Sequence, residues 1–316
     1  MRHLCSNWIS PIGAAAGSAL SPNTASNAKR CRESAAPTGV SGHARSSSLM
    51  SSIETGLFLG RIPFAKVGRR PESLIVINGG QGFMMKPEPS RLEKDARRLK
   101  RILPPDMSFV LISYDPDPKD DVSLRNMARD ISEIIDTNLN KPARLMGISY
   151  GGVVATNVAA HYPDSVEKLI LLASAHGLSA DGKKRLHRQI QFAKDEQFHA
   201  LLEEFATVFR RPWLNLLLRF RLMFKRRLIA RMGAQSSIVR YLEAMLHNNV
   251  TNEDLRNISA RTLILGGERD QFFSSGMMEA AASGIGGAKL MVLAEETHMA
   301  PVERASDVRK HIQEFI

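Results

Sequence analysis

The sequence predicts an α/β fold in which a mostly parallel central sheet carries helices on its faces. Two observations predict it: short apolar runs that close in small or polar residues, and amphipathic helix-length segments that alternate with them. The runs are apolar on both faces, which is typical of central strands of a parallel sheet. The strand candidates are Leu74–Ile77, Phe109–Ile112, Arg144–Met146, Lys168–Leu172, Thr262–Leu265 and Lys289–Leu293.

The segments between these strands have the 3.6-residue spacing of helices that bury one face. In Ser90–Leu103, for example, apolar residues lie on one side and Arg and Lys on the other. Strand–helix alternation of this kind predicts a doubly wound sheet with right-handed crossovers. The other helix candidates are Val122–Leu139, Val153–His161 and Ser306–Phe315.

Residues 178–257 interrupt the alternation because they are helical in composition throughout. They fall between two strand candidates, so we expect an insert over the carboxyl edge of the sheet, where open α/β sheets bind ligands. The predicted organisation is therefore a core made of residues 51–177 and 258–316, with residues 178–257 as the insert.

Residues 1–50 are rich in Ser, Ala, Gly and Pro and lack apolar periodicity. Such a segment buries too little surface to offset its ordering entropy, so we predict a disordered tail. It makes a weak signal peptide and has some character of a transit peptide. A further alternative is that Met50 is the true start. Since the chain has no run of about 20 apolar residues for a spanning helix, we expect a cytoplasmic protein.

The chain of 316 residues has a formal net charge of +11, and the insert contributes much of it. Between Leu178 and Val250 there are fourteen basic and six acidic residues. This imbalance is compatible with an anionic substrate, an acidic carrier protein or a membrane surface, and equally with a solvated basic face. A nucleic-acid partner is disfavoured because no recognised binding motif accompanies the charge.

Both cysteines, Cys5 and Cys31, lie in the predicted tail. The folded part therefore has no disulfide and no Cys-based zinc site available to it. The sequence also lacks a P-loop, a G-x-G-x-x-G after the first strand and an H-E-x-x-H motif. We expect no cofactor and no metal ion.

The strongest local motif is Gly147-Ile148-Ser149-Tyr150-Gly151-Gly152, which follows a strand candidate and opens a helix candidate. That context is typical of a nucleophile elbow, in which flanking glycines allow a sharp turn and expose a serine hydroxyl above the sheet. The alternative is a tight turn without chemical consequence. The motif predicts Ser149 as a nucleophile.

A serine hydroxyl needs an adjacent base to act as a nucleophile at neutral pH. His298 lies just past the last strand candidate, so it should emerge at the same edge as Ser149. The base in turn needs an acid that fixes its tautomer. Asp270 follows the strand Thr262–Leu265 and is favoured over Glu268, the competing acid of the same loop.

The order Ser149, Asp270, His298, together with the elbow and the alternation, resembles the α/β-hydrolase superfamily over residues 55–316. The resemblance implies about eight mostly parallel strands and a helical cap after the sixth, formed by residues 178–257. It also implies that the backbone N–H groups of Tyr150 and Gly80 stabilise the oxyanion, with Gln81 as the less favoured alternative to Gly80. Asn78-Gly79 stands where the family usually has His-Gly, so any supporting role of that histidine is in doubt.

Members of this superfamily that dehalogenate or open epoxides place aspartate at the elbow, so Ser149 argues against both activities. We expect a carboxylesterase-like hydrolase that acts on an ester, thioester or amide of a small or lipophilic acyl group. An acyltransferase on the same residues is the first alternative, and a non-catalytic ligand-binding protein is the second. The sequence leaves substrate identity and oligomeric state open.

Overall fold

The computed structural model describes residues 53–68, 74–119, 122–139, 141–224 and 226–316. The prediction for the tail of residues 1–50 falls outside these ranges. Eight strands form one sheet: β1 (Ile53–Phe58), β2 (Ile62–Val67), β3 (Leu74–Ile77), β4 (Phe109–Ile112), β5 (Ala143–Ile148), β6 (Val166–Leu172), β7 (Arg261–Gly267) and β8 (Lys289–Leu293).

The helices of the core are α1 (Gln81–Met84), α2 (Pro89–Leu99), α3 (Leu124–Asn138), α4 (Tyr150–His161), α11 (Ser275–Gly284), α12 (Ala300–Glu303) and α13 (Ala305–Phe315). Six further helices lie between β6 and β7: α5 (Ala180–Lys194), α6 (Phe198–Ala206), α7 (Pro212–Met223), α8 (Arg226–Ile229), α9 (Gln235–Leu246) and α10 (Asn252–Arg256). None of the helices among the described residues has both the length and the apolar character that a bilayer crossing needs.

The strand order across the sheet is β1-β2-β4-β3-β5-β6-β7-β8. The first two strands pair antiparallel, β2 pairs antiparallel with β4, and all other pairs are parallel. Because strands β3 to β8 run in one direction, their carboxyl ends meet at one edge. The loops after β5, β7 and β8 therefore reach the same place.

Helices cover both faces of the sheet, and the alternation of side chains along the strands explains the two layers. In β3, Ile75 and Ile77 pack in the apolar cluster that includes α3 and α4, whereas Leu74 and Val76 pack in the one that includes α2 and α13. The predicted α/β fold with a mostly parallel sheet of eight strands is confirmed.

Two elements differ from the sequence-based expectation. The hairpin of β1 and β2 was not predicted, because its strands are partly exposed and contain Gly56 and Pro63, both unfavourable inside strands. The predicted helix Ser90–Leu103 ends at Leu99, and residues 100–103 form tight turns instead. Pro104 disfavours helical geometry in the residue before it, which shortens the helix.

Helices α5 to α9, between β6 and β7, pack on the carboxyl edge of the sheet. Gly233 N–H donates to the Met84 carbonyl of α1, and the hydroxyl of Tyr150 donates to the Tyr241 carbonyl of α9. The insertion after the sixth strand thus agrees with the fold predicted above. Helices α5 to α9 form a cap above the loops that follow β3 and β5, whereas α10 packs against the core helices α4 and α11.

Candidate active site

Ser149 occupies the turn between β5 and α4, with φ +53° and ψ −119°. Such a backbone is strained for a residue with a side chain and is held there by its surroundings. A Cβ at Gly147 would lie 2.2 Å from the Gly151 carbonyl oxygen, and one at Gly151 would lie 2.4 Å from the Asn78 carbonyl oxygen. The turn therefore closes only when glycines stand on both sides of the serine.

His298 lies in the loop between β8 and α12 and bridges two side chains. Its Nε2 is 2.9 Å from the Oγ of Ser149, and its Nδ1 is 2.8 Å from Oδ2 of Asp270. An ionised carboxylate only accepts hydrogen bonds, so Nδ1 carries the proton and Nε2 is left to accept from the serine hydroxyl. The structure thus brings together the three side chains that the sequence predicted, from three separate loops.

Asp270 is held by its own loop, and its side chain is fully buried. Its Oδ1 accepts hydrogen bonds from the backbone N–H groups of Phe272 and Phe273, at 2.8 and 2.9 Å. These bonds leave Oδ2 free to face His298. The competing acid, Glu268, is exposed and accepts a hydrogen bond from the N–H of Glu295 instead.

The imidazole of His298 is also enclosed by aromatic rings. The ring of Phe272 meets it edge-on at 4.8 Å between centroids, and the ring of Phe273 stacks at 5.9 Å. The backbone N–H of His298 donates to the side-chain oxygen of Gln271 at 3.2 Å. With both ring nitrogens bonded as well, the imidazole has one defined orientation.

The loop after β3 lies directly beside the nucleophile. A Cβ at Gly79 would be 3.6 Å from the Cβ of Ser149. Neither the N–H of Gly80 nor that of Tyr150 forms a hydrogen bond with a described residue. Each precedes or begins a helix, where backbone donors lack an intrahelical partner. These two N–H groups are the donors that the resemblance implied.

Asn78, which replaces the histidine usual in the superfamily, shapes this loop from within. Its side-chain oxygen accepts the N–H of Gly79 at 2.9 Å, and the amide of Gln81 lies 3.5 Å away. The hydroxyl of Tyr114 donates to the Asn78 carbonyl. Asn78 therefore closes the turn with its own side chain, and Gly80 is left as the first N–H that faces no acceptor.

Four aromatic side chains lie beneath this loop, and of these residues the sequence had singled out only Tyr150, for its backbone N–H. The rings of Phe83, Tyr114, Tyr150 and Tyr241 contact one another at centroid distances of 4.9 to 5.6 Å. Burial raises the pKa of the Tyr150 and Tyr114 phenols well above the ordinary value. Tyr114 lies two residues past the end of strand β4, and that position at the carboxyl edge is the signal that could have identified it.

A cavity of about 1030 Å³ opens above Ser149, beneath the cap. Leu178, Leu186 and Phe205 of the cap and Phe272 of the core contribute to its apolar wall. Within the described residues, no group of three or more His, Cys, Asp or Glu is arranged to hold a metal ion. The cavity thus presents an apolar surface on its cap side, next to the serine hydroxyl.

Comparison with known proteins agrees with this architecture. The sequence profile of the family described as "alpha/beta hydrolase fold" matches residues 41–305. No curated protein sequence matches the chain.

Solved structures of the same fold have low sequence identity to the chain. MGS-M2, an α/β-hydrolase enzyme from a Medee basin deep-sea metagenome library, has a TM-score of 0.68 at 16% identity, over 83% of this chain and 96% of its own. The enol-lactonase from Burkholderia xenovorans LB400 has a TM-score of 0.65 at 17% identity, over 83% of this chain and 99% of its own. An esterase from Thermogutta terrifontis has a TM-score of 0.61 at 20% identity, over 83% of this chain and 96% of its own. At this identity the similarity shows the fold.

Proposed function

The chain belongs to the α/β-hydrolase family, and on that premise we propose that it is a serine hydrolase that cleaves carboxylic esters through an acyl-enzyme. Thioesters and amides are included in the proposal because they react by the same steps. The observation that carries it is the pair of hydrogen bonds that His298 makes, to Ser149 at 2.9 Å and to Asp270 at 2.8 Å. This is the geometry of a nucleophile, its base and the acid that orients the base.

In the proposed reaction the Oγ of Ser149 attacks the substrate carbonyl carbon while Nε2 of His298 takes the hydroxyl proton. The imidazolium then gives that proton to the leaving alcohol, and the acyl group stays on Ser149. Water then attacks the acyl-enzyme while Nε2 of His298 takes a proton from the water. The carboxylic acid is released as His298 returns that proton to the Oγ of Ser149. Asp270 remains ionised throughout and stabilises the imidazolium.

The oxyanion of the tetrahedral species would receive hydrogen bonds from the N–H groups of Gly80 and Tyr150. Both donors are positioned by backbone structure before substrate binds, so no reorganisation accompanies the reaction. A donor of this kind lowers the barrier by about 3 kcal/mol. The strained turn at Ser149 would serve the same step, because it would bring the Tyr150 N–H and the serine hydroxyl to the same side of the substrate carbonyl.

The substrate class follows from the cavity, whose cap-side wall is apolar. We propose an ester with a lipophilic acyl group, which would leave water on entering the cavity. Burial of a methylene group contributes about 0.8 kcal/mol. The value of kcat/KM should therefore rise with acyl chain length until the cavity is filled. The esterase and the enol-lactonase of the same fold act on bonds of this chemical type, as their names state.

The test combines a fluorophosphonate probe with p-nitrophenyl esters of graded chain length. We expect the probe to label the wild-type protein and the Ser149→Ala variant to lose both labelling and hydrolysis. Ser306→Ala, at an exposed serine of α13, is the matched control and should behave as wild type. Labelling that survives Ser149→Ala, or a correctly folded wild type that neither reacts with the probe nor cleaves any ester, would refute the proposal.

A further inference from the structure

One part of the cavity wall, called the arm from here on, is formed by helix α2 and the neighbouring cap and carries basic side chains. Lys94 and Arg98 of α2 and Arg231 of the cap line this arm, in the same cavity as Ser149. Arg91, one turn before Lys94 and Asp95, lines it as well. Four cationic groups thus face one region of the cavity, around the buried carboxylate of Asp95.

The carboxylate of Asp95 is already used by two of these cations. Its Oδ2 accepts from Arg91 at 3.0 Å, and its Oδ1 accepts from Arg98 at 2.8 Å. Lys94 and Arg231 form no ion pair with any described residue. Burial lowers the pKa of Lys94, and the charges of Arg98, Arg231 and Arg91 lower it further. Lys86 and Glu88 line the same cavity, so five cationic groups stand there against two carboxylates, those of Glu88 and Asp95. Lys94 and Arg231 therefore supply positive charge that no ion pair with a described residue offsets.

This arm is connected to the reaction centre through Gln81. The side-chain oxygen of Gln81 accepts from Arg91 at 3.4 Å, and its amide lies 3.5 Å from the Asn78 oxygen that closes the loop of Gly80. Uncompensated cations repel one another, and a bound anion removes that cost. We propose that this arm binds an anionic group, a carboxylate or a phosphate, at the end of the substrate remote from the scissile bond.

This inference rests on the proposed hydrolase function and is tested by substrate preference. The first measurement compares kcat/KM for mono-p-nitrophenyl esters of dicarboxylic acids with kcat/KM for methyl-ended esters of equal length. We expect the anionic ester to be preferred at one chain length. Lys94→Met and Arg231→Met should each reduce the ratio about tenfold, the loss of one charge-assisted hydrogen bond. Arg97→Met, an exposed arginine of the same helix, is the control.

The second measurement uses inorganic phosphate as an inhibitor at matched ionic strength. Competitive inhibition that is lost in Lys94→Met, without a preference for the carboxylate esters, would identify the anion as a phosphate. A wild type that prefers the neutral ester and is not inhibited by phosphate overturns the inference. So does an ester ratio and a phosphate inhibition that are both unchanged in Lys94→Met and Arg231→Met. Because the neutral ester and the fluorophosphonate probe still report on Ser149, these failures are distinct from failure of the hydrolase proposal.

A different observation concerns the outer face of helix α7, which is apolar although it is exposed. The inner side chains Leu214, Leu218 and Leu222 are buried, as expected for a cap helix. The opposite stripe is exposed: Trp213 57%, Leu216 69%, Leu217 40%, Phe220 59%, Met223 64% and, just past the helix, Phe224 71%. A contiguous exposed patch of this kind marks an interaction surface.

The charge around this face identifies what it fits. Residues 205–242 contain nine basic residues and no acidic residue. Arg211 at the start of α7 is exposed, and Arg221 lies beside the apolar stripe. A helix with large apolar side chains on one face, Trp among them, and basic residues beside them is typical of interfacial binding. We infer that α7 docks on a bilayer that contains anionic lipids.

The test measures binding of the full-length protein to vesicles in a Ser149→Ala background, so that catalysis plays no part. A Trp8→Phe change leaves Trp213 as the sole tryptophan. We expect sedimentation with phosphatidylcholine vesicles that contain one quarter phosphatidylglycerol, a blue shift of Trp213 emission, and weaker binding at high salt. The triple variant Leu216→Ser, Phe220→Ser, Phe224→Ser should reduce the bound fraction about tenfold.

Leu57→Ser, at an exposed leucine of β1, is the matched control and should bind as the parent does. Three outcomes overturn the inference. The first is that the protein binds neither the vesicles with phosphatidylglycerol nor vesicles of phosphatidylcholine alone. The second is that it binds the two kinds of vesicle equally. The third is a dimer in light scattering that the triple variant dissociates, which would show that a second copy of the chain covers this face.

Discussion

Replacement of Asp270 by Asn changes one atom of a fully buried side chain and tests the arrangement around His298 most directly. In the wild type, Oδ1 accepts two backbone N–H groups and Oδ2 accepts from His298. An asparagine has only one acceptor oxygen. That oxygen must serve either the two backbone donors or the imidazole, and the amide NH₂ takes the other position.

The backbone donors decide this competition. If the asparagine oxygen faced His298, the N–H groups of Phe272 and Phe273 would point at an NH₂ group and lose their acceptor. An unsatisfied buried donor costs about 1–3 kcal/mol, so the two together cost about 2–6 kcal/mol. The oxygen therefore stays with the backbone, and the NH₂ forces Nδ1 of His298 to become an acceptor. The proton moves to Nε2, which then cannot accept the proton of Ser149.

A free-energy penalty of that size disfavours the reactive tautomer of His298 by a factor of roughly 30 to 10⁴. Loss of the negative charge beside the imidazolium lowers the rate further. We therefore expect kcat to fall about 10³- to 10⁴-fold, in line with the same change in a serine protease. The reaction rate of Ser149 with the fluorophosphonate probe should fall with it, because that reaction uses the same base.

The assay measures initial rates of p-nitrophenyl ester hydrolysis and rates of probe labelling, with circular dichroism to verify folding. Glu268→Gln is the matched control, because it makes the same carboxylate-to-amide change in the same loop at an exposed side chain. It should keep wild-type rates. If Asp270→Asn retained more than a tenth of the activity, or if Glu268→Gln lost as much, the assignment of the acid would be wrong.

Three further predictions concern the loop donors, the elbow and the buried phenols. Gly80→Pro removes one N–H at a φ of −54° that proline tolerates, so kcat should fall about 10²- to 10³-fold, whereas Gly80→Ala keeps the donor and should lose much less. Gly147→Ala places a Cβ 2.2 Å from a backbone carbonyl and should lower the free energy of unfolding by about 3 kcal/mol or more in urea titrations. Burial raises the pKa of Tyr114, Tyr150 and Tyr241, so the unfolded chain ionises first and stability is kept below about pH 10 and lost above it. A Tyr241→Phe variant that loses stability as steeply as wild type in that alkaline range would contradict the last of these.

Much of the fold could be predicted because its evidence is local. Each of the strands β3 to β8 contains a short apolar run, the pattern typical of strands in a parallel sheet. The hairpin of β1 and β2 could not be predicted in this way. β1 is an edge strand and β2 pairs on both sides, but both leave part of their surface exposed and contain Gly56 or Pro63, so their composition resembles that of loops.

The candidate site was predictable for a related reason. Ser149, Asp270 and His298 each follow a strand, and parallel strands bring their carboxyl ends to one edge whatever the details of packing. Gly147 and Gly151 add a local requirement, since only glycine fits the turn. The basic arm of the cavity was not predictable, because Lys94 and Arg231 are far apart in sequence and the amphipathic pattern of α2 assigns Lys94 to a solvent-facing side.

The sequence by itself therefore determined the parallel sheet, the turn at the serine and the edge at which the three predicted side chains emerge. These depend on strand periodicity and on the space around a few glycines, which are properties of neighbouring residues. Only the tertiary structure decided how the backbone N–H groups of Phe272 and Phe273 hold Asp270, which cations share the cavity with Ser149, and which face of α7 remains uncovered. Those outcomes depend on how distant segments pack, and no short stretch of the chain contains that information.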